Sequence, residues 1–133
     1  MSKHYHLLVW LDHHEARIFD FNATEAERTT IHSSHPHDHL HHKANAGDSG
    51  HVAVDKAFLE RITHALAQAG AILIVGPGMA KKELVAHITR AHPDLASRIS
   101  GVETIDHPTD GALIAFGRSF FKTDDRMHAQ LPR

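Results

Sequence analysis

The chain has 133 residues, a length of about one domain, and 41% of them are apolar, enough to bury a core and too many for a disordered composition. Cysteine is absent, which excludes disulfides and thiolate metal sites and fits a reducing cytoplasm. With histidines neutral the formal charge is −2, so no broad basic footprint for nucleic acid is evident; no apolar run approaches the roughly 20 residues that span a bilayer, and Met1 to His6 lacks a secretory pattern.

That charge conceals sixteen histidines. A free imidazole titrates at about pH 6.5, so a slightly acidic chain becomes clearly basic over a short interval below neutrality.

Taken in order, Tyr5 to Leu11 is apolar and rich in strand formers, and Asp12-His13-His14-Glu15 makes a polar turn. Ala16 to Phe21 reads as a second strand, with Ile18 facing away from Phe19 and Phe21. So short a connection predicts an antiparallel hairpin. After a turn at Asn22 to Ala26, Glu27 to His32 reads as a third, more polar strand at an edge, whose charges disfavour pairing between subunits and leave the oligomeric state open.

From His32 to His51 lie seven of the sixteen histidines, among Pro36, Asp38, Lys43, Gly47, Ser49 and Gly50. Such a stretch cannot build a core and reads as a protruding loop over residues 33–51. A loop of this length inside a compact domain is usually functional or disordered, and this one is expected to be functional.

Beyond the loop, Val54, Phe58, Ile62, Ala65, Leu66 and Ala69 recur at steps of three and four, as in an amphipathic helix, with Gly70 expected as its left-handed cap. Ala71 to Val75 is a continuous apolar run between glycines, as in a strand covered on both faces. Gly76-Pro77-Gly78 turns the chain into a second helix over Met79 to His92, striped by Leu84, Ile88 and Ala91 and broken by Pro93. A helical turn at Asp94 to Arg98 and a strand at Val102 to Ile105 follow. Thr109 can cap a third helix through Phe121, with Leu113, Phe116, Gly117 and Phe120 inward, and the polar tail from Lys122 is expected to fray.

The order β-β-β-loop-α-β-α-β-α predicts an α/β fold, a five-stranded mixed sheet with helices packed on it in a ribonuclease-H-like topology. One domain is expected over 1–133, with a core of about 5–122, the loop at 33–51 and a tail at 123–133.

Three patterns carry chemistry. His35, His37, His39 and His41 alternate, so in an extended segment they share one side at about 6.6–6.8 Å spacing. Nitrogen ligands of this kind suit zinc, nickel or copper, and Asp38 and His42 can complete the shell. Gly76 to Lys82 fails both the Walker and the dinucleotide patterns, which leaves a glycine turn at a helix start with Lys81 and Lys82 able to attract a phosphate. Asp12, Asp20, Asp106 and Asp110, at strand ends, could in principle meet around magnesium as two-metal nucleases require, although these are ordinary turn and cap positions as well. Ser49 and His51 lack the setting of a nucleophile elbow.

Ala71 to Glu83 (AILIVGPGMAKKE), Gly101 to Gly111 (GVETIDHPTDG) and the helix to Phe121 resemble the middle domain of archaeal and eukaryotic class-1 peptide-chain release factors and Pelota. The whole chain, about Tyr5 to Met127, is similar to short single-domain bacterial members usually labelled translational machinery proteins, including His41-His42-Lys43-Ala44-Asn45 and Ser49-Gly50-His51. In that family the loop after the third strand carries the Gly-Gly-Gln of true release factors. Here the segment Lys43 to His51 holds no glutamine, and Gln68 and Gln130 lie elsewhere. The resemblance therefore implies a non-catalytic, cytoplasmic ribosome-associated protein acting in translation stress, rescue or hibernation. Its contacts to tRNA or rRNA would come from His41, His42, Lys43, Asn45, Gly47, Ser49, Gly50 and His51, with Lys81 and Lys82 secondary. No cofactor is required on this reading. The alternatives are a zinc- or nickel-binding protein using His35, His37, His39 and His41, and a hydrolase or nuclease on the same scaffold.

Overall fold

A computed structural model describes residues 5–21, 26–33 and 55–128. Three strands come first, β1 (His6–Leu11), β2 (Glu15–Phe21) and β3 (Ala26–His32). Then follow α1 (Lys56–Ala65), β4 (Ala71–Gly76), α2 (Ala80–Ala91), α3 (Pro93–Ala96), β5 (Ile99–Thr104) and α4 (Asp110–His128). The sheet order is β3-β2-β1-β4-β5, antiparallel among the first three strands and parallel from β1 through β4 to β5. This is the mixed α/β sheet expected, with the polar β3 at an edge.

The burial of β1 explains the arrangement. Leu7 to Leu11 are all buried, which requires cover on both faces of the sheet. On one face Leu7, Val9, Leu11, Ile18, Ile72 and Ile74 pack with Phe58 and Ile62 of α1 and Leu84 and Ile88 of α2. On the other, Leu8, Trp10, Phe19, Phe21, Leu73 and Val75 pack with Leu113 and Phe121 of α4. The opposed facings of Ile18 and of Phe19 and Phe21 hold, as strand alternation demands.

Three expectations change. The first helix ends at Ala65, and Gly70 is not in the left-handed region. Its N–H instead donates to the Tyr5 carbonyl at 2.8 Å, and a Cβ there would stand 2.2 Å from the Tyr5 ring, so close approach is what requires glycine. Strand β5 begins at Ile99, ahead of the expected Val102, because the parallel ladder with β4 already starts at Ile72 and Ile99. Finally, α4 runs beyond Phe121 to His128, since no proline or glycine interrupts the polar residues that follow. No helix among the described residues is long and apolar enough to cross a membrane.

Helix α4 lies close to the sheet at Gly117, where a Cβ would meet the Phe21 ring at 2.5 Å and Leu8 Cδ1 at 3.1 Å. Gly117→Val should therefore cost about 1–3 kcal/mol by overpacking a closed core, measured by urea unfolding. Gly78→Ala, with nothing within 4 Å of the added carbon, should stay within about 0.5 kcal/mol of the parent. A neutral Gly117→Val would contradict this packing of α4.

Candidate functional site

Strands β1, β4 and β5 bring their carboxyl ends to one rim of the sheet. Because β3 is antiparallel to β2, which is antiparallel to β1, its end at His32 and Ser33 reaches the same rim. The Ser33 N–H donates to the His14 carbonyl at 2.8 Å, and Arg61 of α1 donates to the His32 carbonyl at 2.7 Å. Asp55 caps α1 by accepting the Ala57 N–H at 3.1 Å. The far end of α1 leads to Gly70 beside Tyr5, at the opposite edge, so the α1 start belongs to the rim. Residues 33 and 55, which flank the histidine-rich segment, are thus both rim residues.

Trp10 organises this rim. It is fully buried, and its indole N–H donates to the Asp106 carbonyl at 2.7 Å, tying β1 to the connection after β5. The Arg17 guanidinium lies over its ring at 4.5 Å, and the His107 ring meets it edge-on at 5.1 Å. Arg17 also donates to Asp110 Oδ1 at 2.8 Å while Arg28 pairs with Asp110 Oδ2. Register explains the trio, since Trp10 opposes Arg17 on β2 and Phe19 opposes Arg28 on β3 on one sheet face. The Arg17 hydrogen bond, helped by the nearby Arg28 charge, holds the Asp110 carboxyl below the usual range.

Beside this framework is a cavity of about 360 Å³ lined by Asp12, His13, His14, Pro77, Gly78, Ala80 and His107. The His107 ring touches two carboxylates, Asp106 Oδ1 at 2.9 Å from Nδ1 and Asp12 Oδ2 at 3.5 Å from Nε2. The Asp106 hydrogen bond foremost, then the one to Asp12, raises its pKa above the ordinary histidine value. His13 Nε2 is shielded from solvent with no hydrogen-bond partner among the described residues. The rim is therefore rich in imidazoles, one of them biased towards the cationic form.

The loop residues His35, His37, His39, His41, His42, Lys43, Asn45, Gly47, Ser49, Gly50 and His51 lie outside the described residues. Lys82 is exposed on the first turn of α2 at this rim. Lys81 turns inward, donating to the Gly78 carbonyl at 2.7 Å; burial first, then the Lys82 charge, lowers its pKa. Of the four carboxylates, Asp12 and Asp106 meet at His107, whereas two arginines hold Asp110. Asp20 pairs in register with Leu7 near the opposite edge, so the four do not converge. The pairing of Asp12 with His107 was signalled only by two Asp-His dipeptides, each following a strand in the sequence.

Donors able to hold a metal converge elsewhere, at Glu60, His87 and His92 on the outer side of α1 and α2. No spacing rule points to them, because Glu60 and His87 belong to different helices and His92 lies beyond the end of α2.

His107 should titrate above 6.5 in an NMR pH series, and Asp106→Asn should move it back towards that value. Because the folded pKa is raised, any stability His107 contributes is complete below 6.5 and lost as pH rises through its folded value. An unshifted His107 in the parent protein would contradict the Asp106 contact.

No family model matches the chain, and no curated protein sequence does. Solved structures are similar in fold. Pelota from Archaeoglobus fulgidus superposes with a TM-score of 0.62 at 12% identity, covering 89% of this chain and 32% of its own. Dom34 from S. cerevisiae, described as a translation termination-like factor in RNA quality control that interacts with Hbs1, gives 0.58 at 12% identity, covering 96% and 37%. The archaeal translation termination factor aRF1 gives 0.54 at 11% identity, covering 96% and 41%. The chain thus spans between about a third and two fifths of these proteins' length and shares the fold of that part of each.

Proposed function

We propose that this chain is a non-catalytic ribosome-associated protein acting in translation stress, rescue or hibernation, with the 33–51 segment as its leading contact. The observation that carries the reading is the rim itself. Both residues that flank the histidine-rich segment stand there, beside His14, His107 and the exposed Lys82, on a fold shared with translation factors. Imidazoles and a lysine at one edge suit phosphate oxygens and exposed bases, and they bind more strongly as protons are added.

His41, His42, Lys43, Asn45, Gly47, Ser49, Gly50 and His51 are the proposed contact residues, supported at the rim by Lys82 and, through the turn that it braces at Gly78, by Lys81. Hydrolysis is not part of the proposal. The segment lacks glutamine, and the four acidic residues do not assemble.

The purified protein should co-sediment with ribosomes at pH 6.5, with binding that weakens steeply as salt rises, because phosphate contacts release counterions. Replacing His41, His42, Lys43 and His51 with alanine should reduce binding by at least about tenfold, and Lys82→Glu should lower both affinity and salt slope. Alanine at His35, His37 and His39, which leaves the proposed contact residues in place, separates RNA contact from metal capture by the segment: ribosome binding should persist while calorimetry with zinc or nickel shows the segment's binding lost. Absence of ribosome or tRNA binding at low salt would overturn the proposal.

A further inference from the structure

We infer that Glu60, His87 and His92 form a zinc site that bridges α1 and α2, with one coordination position open to an adjoining cavity. It lies apart from the rim.

The three donors already face one another. His87 Nε2 stands 2.7 Å from Glu60 Oε1, and His92 Nε2 stands 3.2 Å from both Glu60 oxygens. All three ligand atoms fall within 4.8 Å of one another. Tetrahedral zinc with bonds of about 2.0–2.2 Å needs donors about 3.3 Å apart, so a slight opening of this triangle admits the ion. Two imidazoles and one carboxylate form a borderline, nitrogen-rich set that suits zinc better than magnesium or calcium, which take oxygen.

Backbone geometry makes the convergence possible. Residues five apart on a regular helix point about 140° away from each other, so His87 and His92 could not share a ligand within α2. The helix stops at Ala91 ahead of Pro93, and His92 takes φ −140° and ψ 66°. That departure carries its ring back to within 6.1 Å of the His87 ring, over the Glu60 carboxylate. His87 is held rigidly, with only 10% of its side chain exposed, while Glu60 and His92 are half exposed and offer the ion a way in.

The fourth position follows from the surroundings. A cavity of about 410 Å³ opens beside Glu60 and His92, walled also by Thr63, His64, Asp94 and Arg98. Three protein ligands with a solvent-facing fourth position are the pattern of open zinc sites, whereas purely structural sites close with four protein ligands. In the metal-free form both Nε2 atoms stand within hydrogen-bond distance of Glu60, and they are the atoms that zinc would take in their unprotonated form.

The test uses the full chain with His35, His37, His39, His41 and His42 replaced by serine, which removes the loop's own ligands. Calorimetric titration with zinc should give one equivalent, and zinc should raise the Tm by holding α1 to α2. Cobalt substituted for zinc should show the visible absorption of a tetrahedral site. Adding Glu60→Gln and His92→Ala, both at exposed or half-exposed positions, should weaken zinc by more than about tenfold and abolish the cobalt bands and the Tm rise. His107→Ala in the same background should change none of these. Failure of the loop-replaced chain to bind zinc, or unchanged binding after Glu60→Gln and His92→Ala, overturns the assignment.

Discussion

The central strand β1 imposes the constraint on which everything else depends. It is antiparallel to β2 on one side and parallel to β4 on the other, and Leu7 to Leu11 are buried on both faces. Burying each such side chain contributes on the order of 1.5–3 kcal/mol, so these five together rival the roughly 5–15 kcal/mol net stability of a whole domain. Helices must therefore cover both faces, and they do, α1 and α2 on one and α4 on the other.

The same strand aligns the rim. Since β1, β3, β4 and β5 all run one way, their connections emerge together: Asp12 to His14, Ser33, Gly76 to Gly78, and Asp106 to His107. Trp10 couples core to rim by keeping its ring in the apolar layer and giving its one N–H to the Asp106 carbonyl. A buried indole without that acceptor would leave an unsatisfied donor, so the position of the connection after β5 is part of what makes the Trp10 burial tolerable. Arg17, stacked on the same ring, then fixes Asp110 and with it the start of α4.

The described histidines accordingly fall into distinct settings. His13, His14 and His107 gather at the rim, where Asp12 and Asp106 bias His107 towards its cationic form, the state that suits an anionic surface. His87 and His92 turn their Nε2 atoms onto one carboxylate, and the His87 hydrogen bond foremost holds Glu60 below its ordinary pKa, the state that suits a cation.

Periodicity in the sequence was enough for the five strands, the helices against them and the inward stripe of α4, because each pattern must match a covered face wherever the chain goes. The alternation at Ile18, Phe19 and Phe21 and the unbroken run Ala71 to Val75 are local facts with a single structural solution. Gly70 and Gly117 were different, since what forbids a side chain there is the Tyr5 ring in one case and the Phe21 ring in the other, far away along the chain. So too with the sites. Asp12 beside His107, Arg17 and Arg28 sharing Asp110, and Glu60 between His87 and His92 depend on strand register and on where Pro93 ends a helix. Sequence alone determined which segments must be covered, because an apolar face has to be buried wherever the chain goes; the meeting of distant charged side chains was decided by the tertiary structure, because it alone sets the distances between them.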